Sequence, residues 1–350
     1  MYKNAKEFGE AIKKSRYQFE VEPEDLQVRQ EAIRKTYGNG FDKLLTKQYS
    51  ETETKFSEPI ALIAEELMEV MPADIRNRFK DHFYFSTADT RIINASIIRS
   101  PEGKHFAVII NSSLINLLTK LGKLEIAFEN PQCVEFCNRS PERKPTKEEL
   151  SLMKQEMYEY FIKFKMTHGP YLIISGPEAV FHFDRLNIQE KLIVFHEIGH
   201  FICGDLFKTK NEQVLTQSEN IKNIYYQREF PADIIGFGLL LKVEKRKNEI
   251  SLERRLHILN SLVFLFEILS RLQVNETDKY PHPLNRMNTI IEYYYGIEFA
   301  EIIEKMFKGL PGGSWDNLRP NACPKINSKE DQMDKSIIPM LRNAFVEQKW

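Results

Sequence analysis

The chain has 350 residues, of which 42% are hydrophobic and 28% are charged. This composition is ordinary for a folded protein of one large domain or two smaller ones, and it excludes disorder over most of the chain. The 49 Lys and Arg residues nearly balance the 50 Asp and Glu residues, so charge gives no reason to expect a nucleic acid or an anionic membrane as the main partner.

Cysteine content and the lack of long apolar segments predict a cytoplasmic protein. Four scattered cysteines do not fit a disulfide framework. No apolar stretch approaches the roughly 20 residues of a membrane-spanning helix, and the first residues lack the apolar core of a signal peptide. We therefore expect no membrane association and a reducing compartment.

The first half of the chain is predicted to combine a helical extension, residues 1–80, with a small sheet. Segments rich in aromatic and β-branched side chains predict strands at residues 83–85, 91–98 and 105–110, with a turn at residues 101–104. A capping box of Thr146 and Glu149 predicts the start of a helix that ends near residue 166. A short strand is expected at residues 171–174.

The second half of the chain is predicted to be mainly helical. Helical character begins at about residue 187, is interrupted near residue 204, and resumes after about residue 221. A further helix is expected over residues 252–274. The expected organisation is the extension over residues 1–80, one domain over residues 81–310, and a tail over residues 311–350 that is irregular apart from a helix over residues 337–346.

The strongest functional signal is a His-Glu-x-x-His sequence in an apolar segment, formed by His196, Glu197 and His200. On an α-helix, the two histidines lie one turn apart on one face and can bind the same metal ion. Glu197 lies beside that face, where it can accept a proton from water. Gly199 costs about 1 kcal/mol of helix propensity, which suggests that another backbone packs closely there. A pair of core histidines is the alternative.

A third metal ligand is expected about thirty residues further along. Glu229 and Asp233 are four residues apart and share one face of a helix. Glu229 can complete a three-ligand site, and Asp233 can accept the free N–H of a ligating histidine. An ordinary acidic helix face is the alternative. Competing carboxylates on the connector before this helix are Asp205, Glu212 and Glu219.

These motifs, in this order, resemble those of gluzincin metallopeptidases. The most similar branches are the compact phage-exclusion Lit, anti-repressor ImmA/IrrE and HtpX-like peptidases. The segment Tyr280-Pro281-His282-Pro283-Leu284-Asn285-Arg286 is similar to the His-Pro…Arg segment that follows the zinc helices in Lit-like and HtpX-like members. The resemblance covers about residues 187–295 and does not extend to residues 1–80.

The resemblance implies a role for each matching residue. The zinc ligands would be His196, His200 and Glu229. Glu197 would be the general base, and Asp233 would be the partner of His196. His282 or Arg286 would lie near the cleft, where either side chain can stabilise an oxyanion as part of catalysis. Alternatively, this segment is a proline-flanked helix start at which Arg286 pairs with an acidic residue.

Pro231 departs from the pattern of these families. Proline is tolerated in the first turn of a helix but not in its interior. We therefore expect the helix that carries Glu229 either to begin close to Glu229 or to kink there.

The sequence thus predicts an α+β, zincin-like (gluzincin) fold, with a small twisted sheet packed on the His-Glu-x-x-His helix and a mainly helical C-terminal part. The expected function is that of a zinc-dependent endopeptidase that cleaves a cytoplasmic protein or peptide. Resemblance to the phage-exclusion and anti-repressor types allows a role in phage-related defence or regulation. Alternatives are a zinc-stabilised regulatory protein without turnover, which Glu197 disfavours, and a zinc hydrolase acting on a non-peptide bond.

Overall fold

The structure is a computed structural model of a mixed α+β protein that is mostly helical. It describes residues 2–16, 59–88, 95–136, 146–164, 167–169, 172–206, 221–246, 249–273, 281–308 and 328–346. Most of the expected N-terminal extension lies outside these ranges, as do residues 309–327, which include the part of the tail that was expected to be irregular.

The chain forms two compact units that alternate along the sequence. The first comprises Met1–Leu62, Phe83–Ser96 and His105–Asn187, and the second comprises Ile63–His82, Ile97–Lys104 and Ile188–Trp350. This division differs from the three consecutive segments expected from the sequence, which stay a prediction.

The main sheet has three strands, in the order β1-β3-β2. They are β1 (Phe83–Ala88), β2 (Ala95–Arg99) and β3 (Phe106–Asn111), at the three positions predicted from aromatic and β-branched residues. β1 pairs with β3 in parallel, from Phe83 opposite Phe106 to Ala88 opposite Asn111. The turn before β3 is also confirmed, because Gly103 has a φ of +80° and its N–H donates to the Ser100 carbonyl oxygen at 2.9 Å.

The strand at residues 172–174 belongs to a second sheet, which corrects the expectation of a single sheet. β4 (Val134–Phe136) and β5 (Leu172–Ile174) pair in antiparallel fashion. β4 was not predicted from the sequence, because Val134-Glu135-Phe136 is short and, unlike the apolar β5, includes a charged residue.

In the first unit, helices pack on the strands and on one another. α1 (Ala5–Arg16) packs on β1 and β3, and its Lys13 Nζ donates to the Ser86 hydroxyl oxygen at 3.2 Å. α4 (Ser112–Glu129) packs on α5 (Lys147–Phe164). The predicted capping box of α5 is confirmed, since Thr146 N–H donates to the Glu149 carboxylate at 2.7 Å.

The second unit consists of helices together with the end of β2, from Ile97 onward. The helices are α2 (residues 59–69), α3 (Ala73–His82), α6 (Pro177–Ile202), α7 (Ile221–Lys245), α8 (Leu252–Leu272), α9 (Pro283–Tyr295), α10 (Ile297–Phe307) and α11 (Ser328–Val346). Two of them begin in the first unit: α2 belongs to the second unit from Ile63 onward, and α6 from Ile188 onward. The expected helix over residues 337–346 is therefore the second half of α11. Among the described residues, no helix is both long and apolar enough to cross a membrane.

Helix α6 is the central element of the second unit. It begins at Pro177, ten residues before the expected start, because proline fits the first turn of a helix. The buried ammonium group of Lys191 lies 2.8 Å from Glu66 of α2 and 2.9 Å from Glu244 of α7. Phe201 packs edge-on against Phe345 of α11, with ring centroids 5.2 Å apart. These contacts hold α6 on several sides.

Glu190 of α6 makes the stability of the fold depend on pH. Its side chain is 5% exposed, and burial raises its pKa from 4.5 to about 7. Between these values the folded state keeps a proton that the unfolded state has released, so stability falls as pH rises through this window. The shift corresponds to about 3 kcal/mol. We expect Glu190→Gln to abolish this loss, as measured by urea unfolding at pH 5 and pH 8; equal pH dependence in both proteins would contradict the prediction.

Candidate metal centre

Two glycines let α6 and α7 approach backbone to backbone. A Cβ atom on Gly199 of α6 would lie 2.4 Å from the carbonyl oxygen of Ala232 on α7. A Cβ atom on Gly236 of α7 would lie 2.8 Å from the backbone nitrogen of His196. The close packing predicted from Gly199 is confirmed. Because the backbones meet here, polar side chains of the two helices can converge on one point.

His196, His200 and Glu229 form a group that can hold a metal ion. The Nε2 atoms of the two histidines are 3.1 Å apart. The Glu229 carboxylate lies 3.4 Å from Nε2 of His196 and 3.6 Å from Nε2 of His200. Ligands bound tetrahedrally at about 2.0–2.1 Å from a zinc ion lie about 3.3 Å from one another. The spacing of the three side chains therefore fits a single ion.

One oxygen of Glu229 lacks a hydrogen bond. The side chain is 6% exposed, and Oε2 has no hydrogen-bond partner among the described residues, although Nη1 of Arg286 lies at 3.3 Å. A buried charged oxygen without a hydrogen bond is costly. A cation held by the two histidines and Glu229 would remove that cost.

Each histidine directs its other ring nitrogen to an aspartate. Nδ1 of His196 lies 2.8 Å from Asp233 Oδ1, and Nδ1 of His200 lies 2.9 Å from Asp205 Oδ2. Ionised carboxylates only accept hydrogen bonds, so both Nδ1 atoms carry hydrogen, and in a neutral imidazole Nε2 then keeps its lone pair. Two lone pairs 3.1 Å apart repel each other. A proton on one Nε2 atom, or a metal ion bound by both, would remove this repulsion.

The charges of this cluster also leave room for a divalent cation. The described charged side chains that interact here are four carboxylates and two guanidinium groups, from Glu197, Asp205, Glu229, Asp233, Arg228 and Arg286. With neutral histidines, this set carries two net negative charges. Burial lowers the pKa of His196, but Asp233 and Glu229 outweigh burial and hold it well above its ordinary value. In the metal-free protein His196 is therefore protonated, and a metal ion has to displace that proton.

Arg286 of α9 anchors Asp233. Its Nε and Nη2 each donate to one Asp233 oxygen at 2.7 Å, in the two-pronged geometry typical of strong Arg–carboxylate pairs. Burial lowers the pKa of Arg286, but the carboxylates of Asp233, Glu229 and Glu197 outweigh burial and raise it. Of the two roles considered for Arg286, the structure shows the pairing with an acidic residue.

His282 is the N-cap residue of α9. Its Nδ1 accepts a hydrogen bond from the Leu284 N–H at 3.2 Å, and Pro283 occupies the first helical position. This arrangement is the proline-flanked helix start named above as the alternative. A catalytic role for His282 stays a prediction.

Glu197 faces β2. Its side chain is buried, and Oε2 accepts a hydrogen bond from the Ile97 N–H at 2.8 Å. This contact joins the proposed base to a backbone donor on an edge strand of the sheet. The contact could not be predicted from the sequence, because every residue type except proline has a backbone N–H.

Pro231 lies inside α7 rather than at its start. The helix begins at Ile221, eight residues before Glu229, and is continuous across Pro231. Of the two expectations, a start close to Glu229 was wrong, and a kink at Pro231 stays a prediction. The lost N–H of Pro231 is outweighed by the packing of α7 on α6, where Ala232 contacts Gly199. Glu229 and Asp233 still share one face, as predicted.

The competing third ligands have different outcomes. Asp205 lies at Nδ1 of His200 and not in the ligand group with Nε2. Glu212 and Glu219 lie outside the described residues.

In comparisons with known proteins, no family model matches the chain, and no curated protein or solved structure is significantly similar to it.

The pairing of Asp233 with Arg286 should make Asp233 important for folding as well as for metal binding. Asp233 is 4% exposed and Arg286 is 7% exposed, so Asp233→Ala leaves a buried guanidinium without its main partner. We expect the free energy of unfolding of the metal-free protein to fall by about 3–5 kcal/mol, measured by urea denaturation.

Asp334 provides the matched control for this measurement. It pairs with Lys242 at 2.8 Å in a more exposed position, so Asp334→Asn should cost at most about 1 kcal/mol. Equal losses in the two variants would contradict the assignment of Asp233 and Arg286 as a strongly coupled buried pair.

Proposed function

We propose that this protein is a zinc-dependent endopeptidase. One observation carries the proposal. His196, His200 and Glu229 form a three-ligand group, and Glu197, on the helix of the two histidines, is a carboxylate outside that group. Three protein ligands leave a fourth position of a tetrahedral ion open for catalysis, whereas purely structural zinc sites are closed by four.

Zinc is the metal that suits this donor set best. Two imidazoles and one carboxylate are a set found in catalytic zinc sites, and the ligand spacing fits tetrahedral coordination. Bound zinc would supply Lewis acidity, which lowers the pKa of a water molecule at the open position and polarises a carbonyl group.

The chain's own residues would then handle the proton and the substrate. Glu197 takes the proton of the attacking water and returns it to the leaving amine. Asp233 and Asp205 hold the two imidazoles in the tautomer that leaves Nε2 free. β2, as an edge strand that touches Glu197, is suited to hold an extended peptide as an added strand.

Two other functions remain as alternatives. A regulatory protein that uses zinc only for stability would have no need of Glu197 beside an open position. A zinc hydrolase acting on a non-peptide bond would use the same residues. A cytoplasmic protein substrate, and a role in phage-related defence or regulation, are supported by the resemblance of the motifs to the phage-exclusion and anti-repressor peptidases.

Metal content tests the first step of the proposal. Purified protein should carry about one equivalent of zinc, measured by elemental analysis, and His196→Ala should lose it. Folded protein that is active in the presence of a chelator and free of metal would overturn the proposal.

The substrate class is tested in a cell lysate. We expect wild-type protein to generate new protein N-termini that are absent after treatment with Glu197→Gln, as detected by mass spectrometry of N-terminal peptides. Zinc-loaded protein that produces none, but hydrolyses esters or other small substrates, would support the alternative hydrolase instead.

A further inference from the structure

We propose that Asp205 is a positioning residue that orients His200 for metal binding, and that the C-terminal cap of α6 exists to deliver it. The inference rests on the proposed function and deepens it, because it assigns a second orienting carboxylate in addition to Asp233. It is carried by the backbone geometry after His200 and by one side-chain contact.

The backbone after α6 forms a Schellman-type cap. Gly204 has a φ of +73°, in the left-handed region that favours glycine. Its N–H donates to the carbonyl oxygen of Phe201 at 3.1 Å, and the Asp205 N–H donates to the carbonyl oxygen of His200 at 3.1 Å. These are the two hydrogen bonds that define the motif. They bring Asp205 back beside His200, five residues earlier in the chain.

The cap differs from the usual one in the side chains that meet across it. In most Schellman motifs, these two positions make an apolar contact. Here they are His200 and Asp205, and Nδ1–H of the imidazole donates to Oδ2 at 2.9 Å. The side chain of Asp205 is almost fully buried, and Nε of Arg228 lies 3.9 Å from its other oxygen. At this position of the cap, a buried carboxylate contacts the predicted ligand His200 where an apolar side chain is usual.

The contact is on the side of the ring away from the metal group. Asp205 meets Nδ1, whereas Nε2 of His200 faces Nε2 of His196 at 3.1 Å. The carboxylate therefore acts through the imidazole and is not a third or fourth ligand. Its hydrogen bond fixes the tautomer and the ring angle of His200, and it makes Nε2 a better donor to a metal ion.

Zinc titration against a chromophoric chelator tests this role. Asp205→Ala should weaken zinc binding by about 10–100-fold, as expected when a ligand loses its orienting carboxylate, and Asp205→Asn should weaken it less. Gly204→Ala should also weaken binding, because a left-handed φ strains alanine and the cap then shifts Asp205. Asp334→Asn, which removes a carboxylate from an ion pair elsewhere in the same unit, is the control and should bind zinc like wild type.

Nitrogen-15 NMR of the histidine rings separates positioning from general stability. In zinc-loaded wild type, Nδ1 of His200 should carry hydrogen with a strongly hydrogen-bonded shift, which Asp205→Asn should change while the Asp334→Asn spectrum stays the same. Asp205 variants that bind zinc like wild type, with an unchanged His200 signal, would overturn the inference and leave the peptidase proposal standing. Loss of zinc as complete as in His200→Ala would show that Asp205 is itself a ligand and would also overturn it.

The outcomes for the two proposals are distinct. Weakened zinc binding in Asp205→Ala, together with a wild type that cleaves no peptide, would support the orienting role and overturn the peptidase. A wild type that binds no zinc would overturn both.

Discussion

Replacing Glu197 by Gln should lower turnover by about two to four orders of magnitude while zinc content and fold are retained. An amide cannot accept a proton from water, and general-base catalysis contributes about 10²–10⁴-fold to typical rates. The amide oxygen can still accept the Ile97 N–H bond that Oε2 accepts in the wild type, at 2.8 Å. The loss should therefore appear in kcat, measured on a peptide cleaved by the wild type, with little change in the unfolding midpoint.

Glu190→Gln is the matched control for this experiment. It makes the same chemical change in a buried glutamate of the same helix, two turns before Glu197 and outside the metal group. It should keep wild-type turnover at neutral pH. Retained cleavage in Glu197→Gln would mean that another residue activates the water, and equal losses in both variants would point to a general effect on α6.

The local part of the metal centre could be predicted from the sequence because it depends on helix geometry alone. His196 and His200 are one turn apart on any α-helix, as are Glu229 and Asp233. The prediction needed only that both segments be helical, and α6 and α7 satisfy it. Gly199 predicted the close approach of another backbone, since a glycine inside an apolar helix usually has a packing reason.

The long-range contacts could not be predicted in the same way. The sequence shows that Arg286 follows the metal-binding motifs. Whether Arg286 pairs with Asp233 or faces a substrate depends on how α9 packs on α7. Of the two expectations for Pro231, the helix start was wrong, because local propensity favours proline in a first turn, whereas α7 packs on α6 and continues through the proline. Tertiary contacts outweighed a local cost of about 3 kcal/mol.

Asp205 makes a contact that was not predicted although the sequence carries a signal for it. A glycine shortly after an apolar helix predicts a left-handed cap, and such a cap places the next residue beside the side chain five positions earlier. The spacing of His200, Gly204 and Asp205 therefore contained the contact that the structure shows at 2.9 Å. From the sequence, Asp205 was predicted only as a competing metal ligand, because a carboxylate close to a metal-binding motif is itself a possible ligand.

Both histidines are thus held by a carboxylate that also lies near a guanidinium group. Asp233 pairs with Arg286 at 2.7 Å, and Asp205 lies 3.9 Å from Arg228. Each arginine reduces the negative charge that its aspartate adds to the site. The six ionisable side chains besides the histidines therefore carry only two net negative charges, which one divalent cation would balance.

Replacing Glu229 by Ala should weaken zinc binding far more than the about 10–100-fold expected for loss of an orienting carboxylate, because it removes one of three ligands. The fold should suffer less than in Asp233→Ala. Arg286 keeps both of its 2.7 Å bonds to Asp233 when Glu229 is absent, so no guanidinium is left buried without a partner. Zinc affinity and urea unfolding of the metal-free protein, measured on the same samples, separate the two effects.

Five single substitutions rank the carboxylates that compete for the metal: Asp205, Glu212, Glu219, Glu229 and Asp233, each to Ala. We expect the order of zinc loss to begin with Glu229, followed by Asp233 and Asp205 at similar intermediate levels, and to end with Glu212 and Glu219 near wild type. The reason is that, among the carboxylates that the structure describes, Glu229 alone is presented to both Nε2 atoms, at 3.4 and 3.6 Å. The contrary result would be that Glu229→Ala binds zinc like wild type while Glu212→Ala or Glu219→Ala abolishes binding. The protein would then not be a gluzincin, even if it were an active peptidase, because in gluzincins the third ligand is the glutamate on the helix after the His-Glu-x-x-His helix.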